Sequence, residues 1–257
     1  MGKHGGKKHQ KRIAAPKFWP IHRKKTKWIV KSRPGPHGAK ESLPLILLLR
    51  EIFQYSSTSR EAKHILSEGQ VKVDGKVRRD HRFPVGLMDV VEISKIGKFY
   101  RILPLPRKGL RPVPVGSEEA SYKLCQIKNM VTVKGGHLQI NLHDGRNILF
   151  RTENPRLSPK ESIPYKTRDT LKISIPDQQI LGHIPFKEDI FAIVIDGKNM
   201  GFQGKIKEII PRFGPNASVV SLESPDGTIF ETALDYVFPI GENKSEIQLL
   251  EENTLES

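Results

Sequence analysis

Cations and aromatic rings are interleaved through the first forty residues in a pattern suited to one chemistry, the neutralisation of phosphate with stacking on bases. Lys3, Lys7, Lys8, Lys11, Arg12, Lys17, Arg23, Lys24, Lys25, Lys27, Lys31, Arg33 and Lys40 make thirteen cations, and no Asp or Glu precedes Glu41. The 257-residue chain has 43 Lys+Arg and 28 Asp+Glu, so +13 of its net +15 sits in this stretch. A segment so charged repels itself and, taken alone, stays extended. A polyanion is its natural partner, because each phosphate neutralised releases condensed counterions. Both tryptophans, Trp19 and Trp28, lie inside it beside Phe18, and large aromatics stack on unpaired bases. Pro16, Pro20, Pro34 and Pro36 favour an extended path and break any amphipathic membrane-surface helix. His4, His9, His22 and His37 lack the spacing of a metal cage and read as further donors to phosphate or bases.

Other chemistries find little support. The single cysteine, Cys125, excludes an internal disulfide framework and reads as a small core residue in a reducing compartment. No Gly-x-Gly-x-x-Gly, phosphate loop or His-Glu-x-x-His motif occurs. The N-terminus is charged with no apolar core behind it, so no secretory signal is expected. The most apolar run, Leu43–Leu49, contains Pro44 and stops at Arg50, short of the roughly 20 residues that span a bilayer. Membrane, secreted and disulfide-rich classes fall away. No cofactor, metal or small-molecule substrate is expected, and no homo-oligomer.

The elements that must position the cations come next. Ser42 caps an expected helix with Pro44 in its first turn and Leu45, Leu48, Leu49 and Ile52 as its apolar stripe. A second helix begins with a capping box, Thr58 and Glu61, and stops at Gly69. Ala62, Ile65 and Leu66 share one face, while Arg60, Lys63, His64 and Ser67 share the other. Val71-Lys72-Val73 alternates into an Asp74-Gly75 turn, and the basic run Lys76, Arg78, Arg79, His81, Arg82 leads to a closing strand Val90–Ile93. A three-residue loop sets Val73 opposite Val77, but the register stays open.

The run from Thr58 to Val77 resembles the αL, or S4-type, RNA-binding motif: a helix bearing Ser-Arg and ending in Gly, then a Val-x-Val-Asp-Gly-Lys hairpin. The resemblance implies docking on structured RNA through Arg60, Lys63, Lys72, Lys76 and Arg78, with Arg79 beside them.

Residues 97–116 are rich in proline and basic groups and read as an extended connection. From Tyr122 the signals are β: strands at 123–126, 130–133, 138–142, 148–150 and 171–175, with turns at Gly135-Gly136 and Asp144-Gly145 and a proline-rich 151–168. From Phe191 a buried strand enters a loop with Gly197, Lys198, Gly201, Gly204 and Lys205, which resembles the KOW motif of small SH3-like barrels in ribosomal and transcription-elongation proteins. Residues 242–257 hold five acids and one lysine and are expected exposed, with a frayed helix near 247–250.

The order of these parts, the opening Met1-Gly-Lys-His-Gly-Gly-Lys-Lys-His and the Trp19-Pro-Ile sequence resemble the ribosomal S4e family, with Phe202 and Asp196 as departures in the glycine loop. The resemblance implies an α+β, multi-domain chain: a basic tail (1–41), an αL module (42–96), a small antiparallel β-domain (97–175), a KOW barrel (176–241) and an acidic tail (242–257). It implies a structural constituent of the cytoplasmic small ribosomal subunit, bound to its rRNA and to neighbouring ribosomal proteins. The rivals are an RNA-modifying enzyme with an αL module, for which two small β-units leave no room for a catalytic domain, and a translation or transcription factor that binds a protein partner through the KOW barrel.

Overall fold

Val71 and Val73 point inward, and Asp74 and Gly75 both take positive φ (49° and 72°), the two-residue turn whose twist matches the flanking strands. Val73 therefore pairs with Lys76 and Lys72 with Val77, which resolves the register left open above. The computed structural model describes residues 9–151, 163–212 and 218–249; Lys3, His4, Lys7, Lys8, most of the proline-rich 151–168 stretch and the C-terminal end from Leu250 lie outside them. The described residues are mostly β with few helices, and fifteen of the strands form three five-stranded antiparallel sheets.

In the first sheet the order is Lys76–Val77, Val71–Val73, Val90–Ile93, Lys98–Leu105, Gly109–Val115. The last two strands correct the expectation of an extended connection at 97–116. They form a hairpin paired from Phe99–Val115 to Leu105–Gly109. The prolines misled because Pro112 and Pro114 sit on the edge strand, where a missing N–H costs no ladder bond on the open side.

The helix Ser59–Ser67 follows its sequence signals. Glu61 N–H donates to Thr58 Oγ1 (3.3 Å), the Glu61 carboxylate accepts from Thr58 N–H (3.3 Å), and Gly69 ends the turn at φ 74°. The helix expected from Ser42 differs. Ser42–Pro44 is a short strand paired with Pro84–Gly86, and Ser42 Oγ donates to the Gly38 carbonyl instead of capping. Helical turns begin only at Leu45 and widen over Leu48–Ile52. Leu45 to Leu49 are all buried, so no single stripe exists.

Tyr122–Thr132 runs unbroken through the second sheet, flanked by Leu138–Leu142 and Asn147–Phe150 on one side and Thr170–Ser174 and Ile180–Ile184 on the other. Cys125, Ile127, Ile140, Leu142, Leu171 and Ile173 form its own small core. The third sheet, ordered Ile229–Ala233, Val219–Glu223, Gln203–Ile210, Phe191–Val194, Val237–Gly241, shares one larger core with the first sheet and the helices. The described C-terminal residues dock on it: Ile247 is buried, Gln248 N–H donates to Glu119, and Lys172 pairs with Glu246 at 2.9 Å. No helix forms there among the described residues, so that expectation is corrected. Once Ile247 and Leu249 pack inward, the acidic segment has a seat. No described helix is long and apolar enough to cross a membrane.

Candidate nucleic-acid interface

Residues 9–40 are folded against the rest of the chain, which divides their side chains into two groups. One group works inside the protein. Trp19, expected to stack on bases, is 3% exposed in the main core, and its Nε1–H donates to the Ser42 carbonyl at 3.0 Å. A ring so enclosed has no free face, so its assignment to RNA stacking is corrected. Arg12 is buried and donates to the His22 carbonyl at 2.6 Å. Arg23 clasps the loop through the carbonyls of Ala15 (2.9 Å) and Pro16 (2.8 Å), with Arg12 and Ile13 at 3.3 Å. His37, read as a phosphate donor, is buried against Asp89 at 2.9 Å. Gln10–Lys11 and Trp28–Ile29 close the segment with a two-stranded ladder.

The other group faces outward. Lys11, Lys17, Lys24, Lys25 and Lys27 are exposed, and Trp28 is 50% exposed with Lys27 Nζ 5.2 Å from its ring centroid and His9 beside it at 5.6 Å. Arg33 pairs with Asp80 across 2.9 Å, tying the segment to the loop after the hairpin.

The capped helix presents Arg60, Lys63, His64 and Ser67 outward and buries Ala62 and Leu66, as its pattern requires. In the hairpin, Lys76 and Arg79 are exposed; Lys72 is engaged with Glu92 at 2.8 Å, and the Arg78 guanidinium lies 4.4 Å over the Phe83 ring. His81 marks where these elements meet. Burial and then the positive charges of Lys63, Arg82 and Arg33 hold it below its ordinary pKa, against the pull of Asp80. One cation each from the N-terminal segment (Arg33), the helix (Lys63) and the loop after the hairpin (Arg82) thus lies close enough to act on His81.

In the glycine loop, Gly197 and Gly201 take positive φ (88° and 86°), and a Cβ on Gly201 would strike the backbone of Leu105 and Pro106 in the first sheet's hairpin. Gly204 lies against the Glu223 carbonyl with the same consequence. Lys198 and Lys205 are exposed, and Phe202 lies 5.6 Å from Phe230.

The residues missed in the sequence form a mostly buried charged cluster. Lys123 is fully buried and its Nζ bridges Asp74 (2.9 Å), Asp144 (3.0 Å) and Asp89. Arg146 closes the group on Asp74 (2.6 Å) and Asp144 (3.1 Å). The cluster joins the N-terminal segment through His37, the first sheet through Asp74 and Asp89, and the second through Lys123, Asp144 and Arg146. Burial raises the carboxyl pKa values, but Lys123 together with His37 at Asp89, and with His143 and Arg146 at Asp144, outweighs it; Asp89 stays well below its ordinary range and Asp144 falls to about 2. Asp74 and Asp144 had signalled only turns, and a lysine in a strand reads as solvent-facing. Cys125 lies 3.6 Å from Asp144, and burial pushes its thiol well up, which makes it inert as a nucleophile.

His143 lies beside the cluster, and burial depresses its pKa from 6.5 to about 4. Between those values the unfolded chain binds a proton that the folded chain refuses, so stability declines as pH falls from about 6.5 to 4. At about 1.4 kcal/mol per unit the loss reaches about 3 kcal/mol. Denaturant unfolding at pH 7 and pH 4 checks this, with His143→Gln flattening that part of the profile; an unflattened profile would assign the slope elsewhere.

Residues 4–40 match the RS4NT (NUC023) domain, residues 54–91 the S4 domain, and residues 96–180 the Ribosomal family S4e. The chain is 51% identical over 247 residues to the small ribosomal subunit protein eS4 of Ignicoccus hospitalis, covering 96% of each. It is 51% identical over 251 residues to that of Desulfurococcus amylolyticus, covering 98% of this chain and 99% of the relative. Among solved structures it is similar to the 30S ribosomal protein S4e from Thermoplasma acidophilum, with a TM-score of 0.65 and 32% identity over 80% of this chain and 97% of that one.

Proposed function

The chain belongs to the ribosomal S4e family, and on that premise we propose that its folded N-terminal segment and its S4-type helix face bind small-subunit rRNA as one continuous basic surface. It is a small-subunit ribosomal protein with an RNA-binding S4 domain, a structural part of the translation machinery and not an enzyme. The observation that carries the surface is the exposed set Lys11, Lys17, Lys24, Lys25, Lys27, Arg60 and Lys63, with Arg33, Lys63 and Arg82 bringing the segment, the helix and the loop together at His81.

These cations neutralise phosphate and set register; the surface reads shape and backbone rather than base sequence. Because residues 9–40 already pack on the body, only the exposed side chains of that segment must order on binding, which lowers the entropic cost of association. Lys76, Arg79, Lys198 and Lys205 extend the surface, the last two from a third sheet that we read as an SH3-like KOW barrel. The remaining faces meet neighbouring ribosomal proteins within the cytoplasmic particle.

The test is the salt dependence of binding to a small-subunit rRNA fragment. Changing Lys11, Lys17, Lys24, Lys25 and Lys27 to Gln lowers the slope of log affinity against log salt by about 3.5–4.5, at roughly 0.7–0.9 per phosphate contact. Adding Arg60→Gln and Lys63→Gln lowers it by about 1.5 more. An unchanged slope in either variant removes that group of residues from the interface.

A further inference from the structure

We propose that the open cavity between the N-terminal segment and the turn leading to the capped helix holds one unstacked nucleotide of a single-stranded RNA, with its base on Trp28. The inference rests on the RNA-binding reading and specifies one site within it. The cavity encloses about 590 Å³, within the size range of small-ligand sites, and its walls come from both parts of the chain: His9, Arg12, Lys25 and Trp28 from the segment, Arg50 and Arg82 from the body.

Its chemistry is that of a nucleotide. Trp28 is half exposed and is flanked by the His9 ring, so an aromatic wall is available to a base whose faces are free. Lys25 and Arg82 are exposed at the rim, where a phosphate would sit. Arg12 is 6% exposed, and its Nε has no hydrogen-bond partner among the described residues, which leaves a buried donor at the cavity wall. Glu51 is the one carboxylate in the lining among the described residues. It is already matched by Arg50, whose Nε lies 3.1 Å from it, and by Arg12 at 4.0 Å, so the wall keeps a net positive charge. Duplex RNA cannot use the site, because paired bases keep their faces covered. The segment thus serves two ends: its exterior lysines follow the backbone, and its inner face takes a base.

The two tryptophans provide the readout, since Trp19 is enclosed and Trp28 is not. The full-length protein is titrated with an adenosine octaribonucleotide, a duplex of equal length, and adenosine monophosphate. The octamer is expected to quench emission, and Trp28→Phe to abolish that quench. Trp28→Ala weakens octamer binding, followed by anisotropy of a labelled strand, about 5- to 100-fold. Duplex binding stays within about twofold and reports that the variant remains folded. The proposal is overturned if the octamer quench persists in Trp28→Phe, or if Trp28→Ala binds the octamer as tightly as the parent. A quench by the monophosphate matching that of the octamer would make this a free-nucleotide pocket and overturn it equally. If neither octamer nor duplex binds, the RNA-binding reading itself falls, an outcome distinct from loss of the Trp28 signal alone.

Discussion

Lys123→Ala lowers the free energy of unfolding by about 3–5 kcal/mol, the range found when one partner of a buried ion pair is removed. The magnitude follows from what stays behind. Asp74, Asp89 and Asp144 converge on the Lys123 ammonium. Arg146 reaches only two of them, while His37 reaches the third. Without Lys123, the carboxylates lose the charge that holds Asp89 and Asp144 ionised against burial, so they take up protons at higher pH. The variant's stability loss should therefore be smaller in acid than at neutrality. Adding Asp89→Asn to Lys123→Met should recover part of the loss, because it withdraws an uncompensated charge. Urea unfolding at pH 7 decides the matter: a change below 1 kcal/mol would mean that water reaches the cluster and screens it.

Trp19→Ala is expected to cost a similar amount, about 3–5 kcal/mol, as for other large aromatics removed from a core. The indole is buried in the core cluster that also holds Leu43 and Leu45–Leu49, and its loss also strips the Ser42 carbonyl of its donor. Trp19→Phe restores the hydrocarbon but not the hydrogen bond and should recover only part. This separates two roles for a tryptophan in a basic segment. A base-stacking ring would leave stability unchanged when removed and weaken RNA binding alone. A core ring does the reverse in the free protein, and the unfolding midpoint distinguishes them.

Legibility in the sequence tracked locality. The capping box, the helix's two faces and the Asp74-Gly75 turn rest on contacts within a few residues, and each formed as its residues imply. What failed needed distant partners. Lys123 is 49 residues from Asp74 and 34 from Asp89, and nothing in an alternating strand announces an inward lysine with carboxylates waiting for it. Thirteen cations read alike as phosphate ligands, yet composition could not say that Arg12 and Arg23 would be engaged by backbone carbonyls while Lys25 and Lys27 stay exposed. The proline-rich 97–116 stretch failed for a related reason. Whether a proline breaks a strand depends on whether that strand lies at an edge, a property of the sheet and not of the segment.

The seat of the N-terminal segment also sets an order of events during synthesis. Phe18 packs on Gly109, and its carbonyl receives the Arg111 guanidinium from 93 residues downstream. At elongation rates of roughly 5–20 residues per second, that dock does not exist until about 5–20 s after Phe18 is made. For that interval the segment has its own ladder and the Arg23 clasp but lacks the hairpin surface on which Phe18 packs. An early part of the protein thus waits for a hairpin made well after it before its seat is complete.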